Sequence, residues 1–186
     1  MPSTPAKKKP TKQPAPAADV GLSVGEAAPD FALHDQSGEL VTLSALRGAP
    51  VVLFFYPKDA TPMCTQQACA FQGGLGRFSR AGVRVLGISI LKPRSKKKFA
   101  DANAISLPLL ADDALGPDKK PVPHAARAFG VWVQKSMYGK PYVAIERTTF
   151  LIDPRGKIAA KWDKRTIEAD VDAHVDEVLA AAKALG

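Results

Sequence analysis

The sequence predicts an α/β chain with a mixed central sheet flanked by helices, and three observations carry that prediction. Residues 51–56 and 83–90 are short apolar runs, the second broken by Arg84, and both are rich in β-branched residues, as in strands buried on both faces. Residues 62–80, between them, open with Thr61-Pro62 and close near Gly82, which are helix start and stop signals. Near the C-terminus, Val171, Val175, Val178, Leu179 and Ala182 repeat at helical spacing and form one apolar stripe.

The remaining elements follow in order. Residues 1–19 are rich in Pro, Ala and Lys, with no large apolar side chain between Met1 and Val20. Such a segment cannot bury enough surface to offset its ordering entropy, so a disordered basic tail is expected, followed by one domain over 20–186. Residues 29–33 read as a strand entry, 35–39 as a turn, 40–43 as a returning strand and 44–48 as one helical turn closed by Gly48. Pro57 ends the strand over 51–56. After the second buried strand come a helix over 95–104 with Phe99 inward, a short edge strand at 107–110, and a loop over 111–123 holding Pro117, Pro121 and Pro123. A short helix over 125–129 ends at Gly130. Strands over 142–152 and 157–162 are joined by Asp153-Pro154-Arg155-Gly156, with Pro and Gly placed for a hairpin turn. An amphipathic helix over 167–185 closes the chain. Strand-helix alternation implies parallel neighbours and the late hairpin adds antiparallel ones, the order of a thioredoxin-like fold with an N-terminal β extension.

Composition narrows the function classes. A chain of 186 residues with 46% hydrophobic content suits one domain with a real core. Its apolar runs fall short of the roughly 20 residues a membrane span needs, and no apolar stretch follows the N-terminal lysines as a secretory signal requires. The net charge of +8 draws on Lys7, Lys8, Lys9 and Lys12 and on a second cluster at Lys92, Arg94, Lys96, Lys97 and Lys98. That charge bears on solubility and on weak contact with nucleic acid through the tail, not on fold. A cytoplasmic location is expected, with a nuclear one left open by the lysine run. Two cysteines are too few for a secreted disulfide framework. They do not form a metal set with the scattered His34, His124 and His174, and no metal or cofactor is expected.

The chemistry lies in residues 54–69, where a buried strand runs through a Pro-bearing loop into a helix with Cys64 in its first turn. Unpaired N–H groups and the helix dipole at that end favour an anion, which makes a cysteine nucleophilic without a histidine. Thr61 is placed to donate its hydroxyl to the same sulfur or to a bound oxygen. By position alone Cys64 equally suits a small core residue. Arg147, read as lying in an alternating strand between Ile145 and Thr149, suits a solvated surface charge as well as a site, and Gln67 suits a helix surface as much as a site.

Pro57, Thr61 and Cys64 form a P-x-x-x-T-x-x-C pattern that resembles the peroxiredoxin signature. Thr61-Pro62, Cys64-Thr65, Gln67-Ala68 and Cys69 resemble the active-site segment of the peroxiredoxin Q, or bacterioferritin comigratory protein, branch. The likeness extends through residues 85–89, 98–100, 129–132 and 147–153 and covers the chain from about Val20 onward. The resemblance implies a thiol peroxidase in which Cys64 attacks the O–O bond of a hydroperoxide and becomes a sulfenic acid. It gives Thr61 and Arg147 the orienting of peroxide and thiolate, Pro57 the shielding of the pocket, and Cys69 the resolving role through an intramolecular disulfide. A thioredoxin-like or glutaredoxin-like donor would return both thiols. With the resolving cysteine in the same chain, a monomer is expected. Met63 stands where the family commonly has Gly, which bears on substrate preference, and residues 116–123 look like an insertion.

A helix rises about 1.5 Å and turns about 100° per residue, so two positions five apart lie roughly 8.7 Å apart at Cα. A disulfide tolerates at most about 7 Å. Cys64 and Cys69 therefore cannot bond while the helix is intact, and the cycle requires local unwinding. Gly73, Gly74 and Gly76 each weaken a helix interior by about 1 kcal/mol relative to Ala, which lowers the cost of opening. Against the peroxidase stands a binding module of the same fold that contacts nucleic acid through the basic segments; strong, salt-sensitive DNA binding without peroxidase activity would mark it. A reductase of the Cys-x-x-Cys type is excluded by the spacing, and a cysteine hydrolase would need a positioned histidine.

Overall fold

The computed structural model describes residues 19–186; the basic tail expected over residues 1–19 lies outside them apart from Asp19. Strands β1 (Ala32–His34) and β2 (Leu40–Thr42) form an antiparallel hairpin, and a 3₁₀ turn at Leu43–Leu46 follows. Next come β3 (Val51–Phe55), α1 (Pro62–Arg80), β4 (Arg84–Ser89), α2 (Pro93–Asn103) and β5 (Leu109–Ala111). The chain continues through α3 (His124–Ala128), β6 (Trp132–Met137), β7 (Lys140–Ile145), β8 (Thr148–Ile152) and β9 (Ile158–Trp162), and ends with α4 (Lys164–Ala169) and α5 (Val171–Lys183).

The main sheet has seven strands in the order β2-β1-β5-β4-β3-β8-β9. Strands β3, β4 and β5 are parallel, joined by the α1 and α2 crossovers, and β8, β9 and β1 run antiparallel to their neighbours. The continuous apolar run of β3 follows from this central position. Val52, Phe54 and Tyr56 enter one core layer, under α1 and α5. Val51, Leu53 and Phe55 enter the other, beneath α3. Gly87 of β4 is needed where the layers are tightest, because a Cβ there would lie 2.6 Å from the Phe54 ring.

Three expectations need correction. The strand near residues 107–110 is not an edge: β1 covers β5 through His34 opposite Ala111. The expected strand over 142–152 is two strands, since β7 pairs with β6 in a separate hairpin and β8 pairs with β3, so the chain changes sheets at Glu146-Arg147. The closing helix over 167–185 is also two, because Asp170 is extended and its side chain accepts from the Ala173 N–H as the cap of α5. Among the described residues no helix is long and apolar enough to cross a membrane.

Candidate active site

Sequence and topology bring three segments to one end of the sheet. Strand β3 delivers Tyr56 and Pro57 into the loop before α1. Phe55, the last residue of β3, pairs with Thr148, the first of β8, so Arg147 stands beside the start of α1. Ligand crevices of α/β sheets lie at this carboxyl end of the parallel strands.

Helix α1 presents Cys64, Gln67, Ala68, Phe71, Gly74 and Phe78 to the interior, a stripe at spacings of three and four. Cys64 is buried, whereas Cys69 is exposed on the opposite side of the same intact helix; both are free thiols. The expected pair thus occupies α1 in the arrangement that forbids direct bonding without unwinding.

Arg147 is a buried hub and not a surface charge. Its Nη2 donates to Cys64 Sγ at 3.2 Å, its Nη1 to Gln67 Oε1 at 2.7 Å, and its Nε to Glu168 Oε1 at 3.0 Å. The guanidinium and the free N–H groups of the helix start thus put positive charge on the side of the sulfur where a peroxide oxygen would meet it. Only 5% of its side chain is exposed, because it leaves β7 and enters β8 under α1 and α4 rather than running through one alternating strand.

Thr61 stands at the N-cap in extended conformation, but its hydroxyl donates to the Lys58 carbonyl at 3.3 Å instead of capping the helix. Thr65 bonds back to the Thr61 carbonyl at 2.8 Å through both its N–H and its hydroxyl. Pro57 and Met63 are half-buried.

Sequence reasoning gave four further groups no role. Gln67 is fully buried against Arg147, and its position one turn after Cys64 on the same helix face was the signal. Glu168 had no local signal, since α4 was not foreseen as a separate helix. Asp59 and Lys96 form a buried ion pair behind the loop. Lys96 lies three and four residues before Phe99 and Ala100 on the inner face of α2, so it separates from Lys92, Arg94, Lys97 and Lys98, which are exposed.

Residues 24–161 match the model of the AhpC/TSA family. The chain is 41% identical over 160 residues to the putative peroxiredoxin bcp of Coxiella burnetii, covering 86% of this chain and 98% of that protein. It is 42% identical over 142 residues to peroxiredoxin Bcp of Escherichia coli strain K12, covering 76% of this chain and 86% of the relative. Among solved structures, the Xanthomonas campestris bacterioferritin comigratory protein, studied for alkyl peroxide reduction, superposes with a TM-score of 0.72 at 37% identity, over 89% of this chain and 98% of that one.

Proposed function

The chain belongs to the AhpC/TSA family and is a peroxiredoxin, a thiol peroxidase with an antioxidant role; from that premise we propose that Cys64 attacks the peroxide and Cys69 resolves the product. The observation that carries this assignment is the 3.2 Å contact between the buried Arg147 guanidinium and Cys64 Sγ at the start of α1.

The Cys64 thiolate attacks the terminal oxygen of ROOH. The O–O bond breaks, the alkoxide leaves and takes a proton as ROH, and Cys64 becomes a sulfenic acid. Arg147 stabilises the thiolate before attack and the charge that moves onto oxygen during it. Gln67 and Glu168 fix the guanidinium plane, while Thr61 and Pro57 form the rim through which peroxide enters. The Cys69 thiolate then attacks the sulfenic sulfur; the S–O bond breaks, oxygen leaves as water and the disulfide forms. Cys69 is exposed in the folded helix, so this step needs the start of α1 to unwind. An external dithiol, of thioredoxin or glutaredoxin type, reduces the disulfide by exchange and becomes oxidised itself.

We assign hydrogen peroxide and organic hydroperoxides as substrates, with Met63, next to Cys64 in the chain, bearing on the choice among them. Residues 20–186 form the catalytic domain, acting as a monomer in a reducing compartment such as the cytoplasm. Weak nucleic-acid contact through the basic tail is compatible with this and sets location rather than chemistry.

One equivalent of hydrogen peroxide tests the reading. Wild type should lose two hydrogens by mass, and Cys69→Ser should hold a sulfenic acid on Cys64. Two unreacted thiols in wild type would overturn it.

A further inference from the structure

A second buried charge cluster lies on the other side of the active-site loop from Arg147. Lys96 is fully buried and Asp59 is 5% exposed. The Lys96 ammonium donates to Asp59 Oδ1 at 3.3 Å, to the Tyr56 hydroxyl at 3.1 Å and to the Ser89 hydroxyl, and it lies 5.0 Å from the Tyr56 ring centroid. Asp59 also accepts from Tyr56 at 2.7 Å, from Ser89 at 3.2 Å and from Ser95 at 3.0 Å. The end of β3, the end of β4 and the first turn of α2 therefore converge on one carboxylate of the loop that leads to Thr61 and Cys64.

We propose that Lys96 and Asp59 are positioning residues that hold this loop closed, and thereby set the balance between peroxide attack by Cys64 and disulfide formation with Cys69. The inference rests on the roles given to the two cysteines above.

The loop is not self-supporting. Ala60, next to Asp59, has φ +60°, a conformation that L side chains adopt only when neighbours impose it. Tyr56, bonded to both members of the pair, packs in the same core layer as Cys64. Burial lowers the Lys96 ammonium from its ordinary 10.5 to about 8, against the pull of Asp59, Asp113 and Asp112. Burial also keeps the Tyr56 phenol neutral and able to donate, raising it well above 10 with help from the Asp59 charge. A buried ion pair adds little net stability compared with apolar packing, but separating its members leaves an uncompensated buried charge at high cost. Swinging Asp59 outward as α1 unwinds would leave Lys96 in that state. The pair thus opposes the same motion that brings Cys69 to Cys64.

The test measures two rates in the full-length protein after mixing with hydrogen peroxide: Cys64 sulfenic acid formation in a Cys69→Ser background, and disulfide formation with both cysteines present. In Lys96→Met, sulfenic acid formation should slow and disulfide formation should quicken, each by about tenfold, the factor that a change of about 1.4 kcal/mol gives. Asp59→Asn keeps the side-chain shape and should move both rates the same way by less, which guards against loss of fold in the lysine variant. Lys96→Met/Asp59→Asn leaves no buried charge unpaired and should bring both rates back toward wild type. Rates that fall together in proportion to thermal stability, or that stay unchanged while Cys64 oxidises normally, would overturn the inference alone. Absence of Cys64 oxidation in wild type would remove the assignment of the cysteines, and this inference with it.

Discussion

The first two turns of α1 and its remaining turns belong to one helix but are held by different forces. The start is gripped by charge: Arg147 binds Cys64 and Gln67 on one side, and the Lys96–Asp59 pair holds the preceding loop on the other. The later turns are held by apolar packing. Phe71 stacks on Phe54 at 4.7 Å and meets His174 edge-on at 5.8 Å, and Gly74 lets α5 approach so closely that a Cβ would lie 3.3 Å from Val175. Directional contacts to a few charged groups can be exchanged when the sulfur changes oxidation state. Interdigitated packing cannot be undone piecemeal. The start of α1 is thus built to let go and the later turns to stay.

The sharpest way to break this contrast is at Arg147. Arg147→Ala removes the donor to Cys64 and leaves Gln67 Oε1 buried without its partner. We expect kcat/KM for hydrogen peroxide to fall by about 10²–10³-fold, the usual loss for a donor aimed at developing charge. A Tm close to wild type would place the effect in the chemistry and not in the fold, and steady-state kinetics beside a melting curve would read both.

How much of this contrast the sequence revealed depends on the range of the forces involved. Helix α1 matches its expected span, residues 62–80, because its signals are local: Pro62 at the start, Gly82 beyond the end, an apolar stripe between. The Cys64 position was legible for the same reason. Arg147 was found only through family resemblance, since its role depends on β8 pairing with β3 across nearly a hundred residues of chain. The break between β7 and β8 was missed because residues 142–152 carry strand-forming side chains throughout, and pairing partners, not propensity, decide where they divide. Lys96 was read with its basic neighbours as surface charge. Only its spacing from Phe99 distinguishes it, and a charge run masks such a signal.

The later turns can be probed by acid. His174 sits between Phe71 and Trp162, accepts or donates one hydrogen bond with Thr149 at 3.1 Å, and among the described residues its Nδ1 has no partner. Burial holds its imidazole at about 4, below the ordinary 6.5. Between those values the unfolded chain binds a proton that the folded chain refuses. The stabilisation is therefore complete above pH 6.5 and lost as pH falls toward 4, by about 3 kcal/mol. Urea unfolding of His174→Gln across that window should show a flatter acid limb, and a slope equal to wild type would place the acid sensitivity elsewhere.

The glycines sharpen where the boundary between the two regions lies. Gly73 and Gly76 are exposed with room for a Cβ, whereas Gly74 is packed against Val175 and is best left alone. Gly73→Ala/Gly76→Ala stiffens the helix by about 1 kcal/mol per site. If unwinding spreads into the fourth turn, disulfide formation should slow by about threefold to tenfold and Cys64 should overoxidise more readily, as rapid quenching and mass would read. An unchanged rate would confine the opening to the turns before Gly73.

Glu168 offers the smallest and most discriminating change. It holds Arg147 Nε at 3.0 Å from α4, outside both regions of α1, and its side chain is 31% exposed, so solvent screens much of its charge. Two roles follow from one contact: the carboxylate orients the guanidinium, and it also competes with the thiolate for the positive charge. Glu168→Gln keeps an acceptor oxygen and removes the charge, whereas Glu168→Ala removes both. If orientation dominates, kcat/KM for peroxide should stay within about twofold in Glu168→Gln and fall by about threefold in Glu168→Ala, as expected for a partly exposed pair. If competition dominates, Glu168→Gln should instead gain activity. Either result bears on the grip at the start of α1, because a guanidinium held by Gln67 alone would have one less reason to stay when the sulfur becomes a sulfenic acid and the helix begins to open.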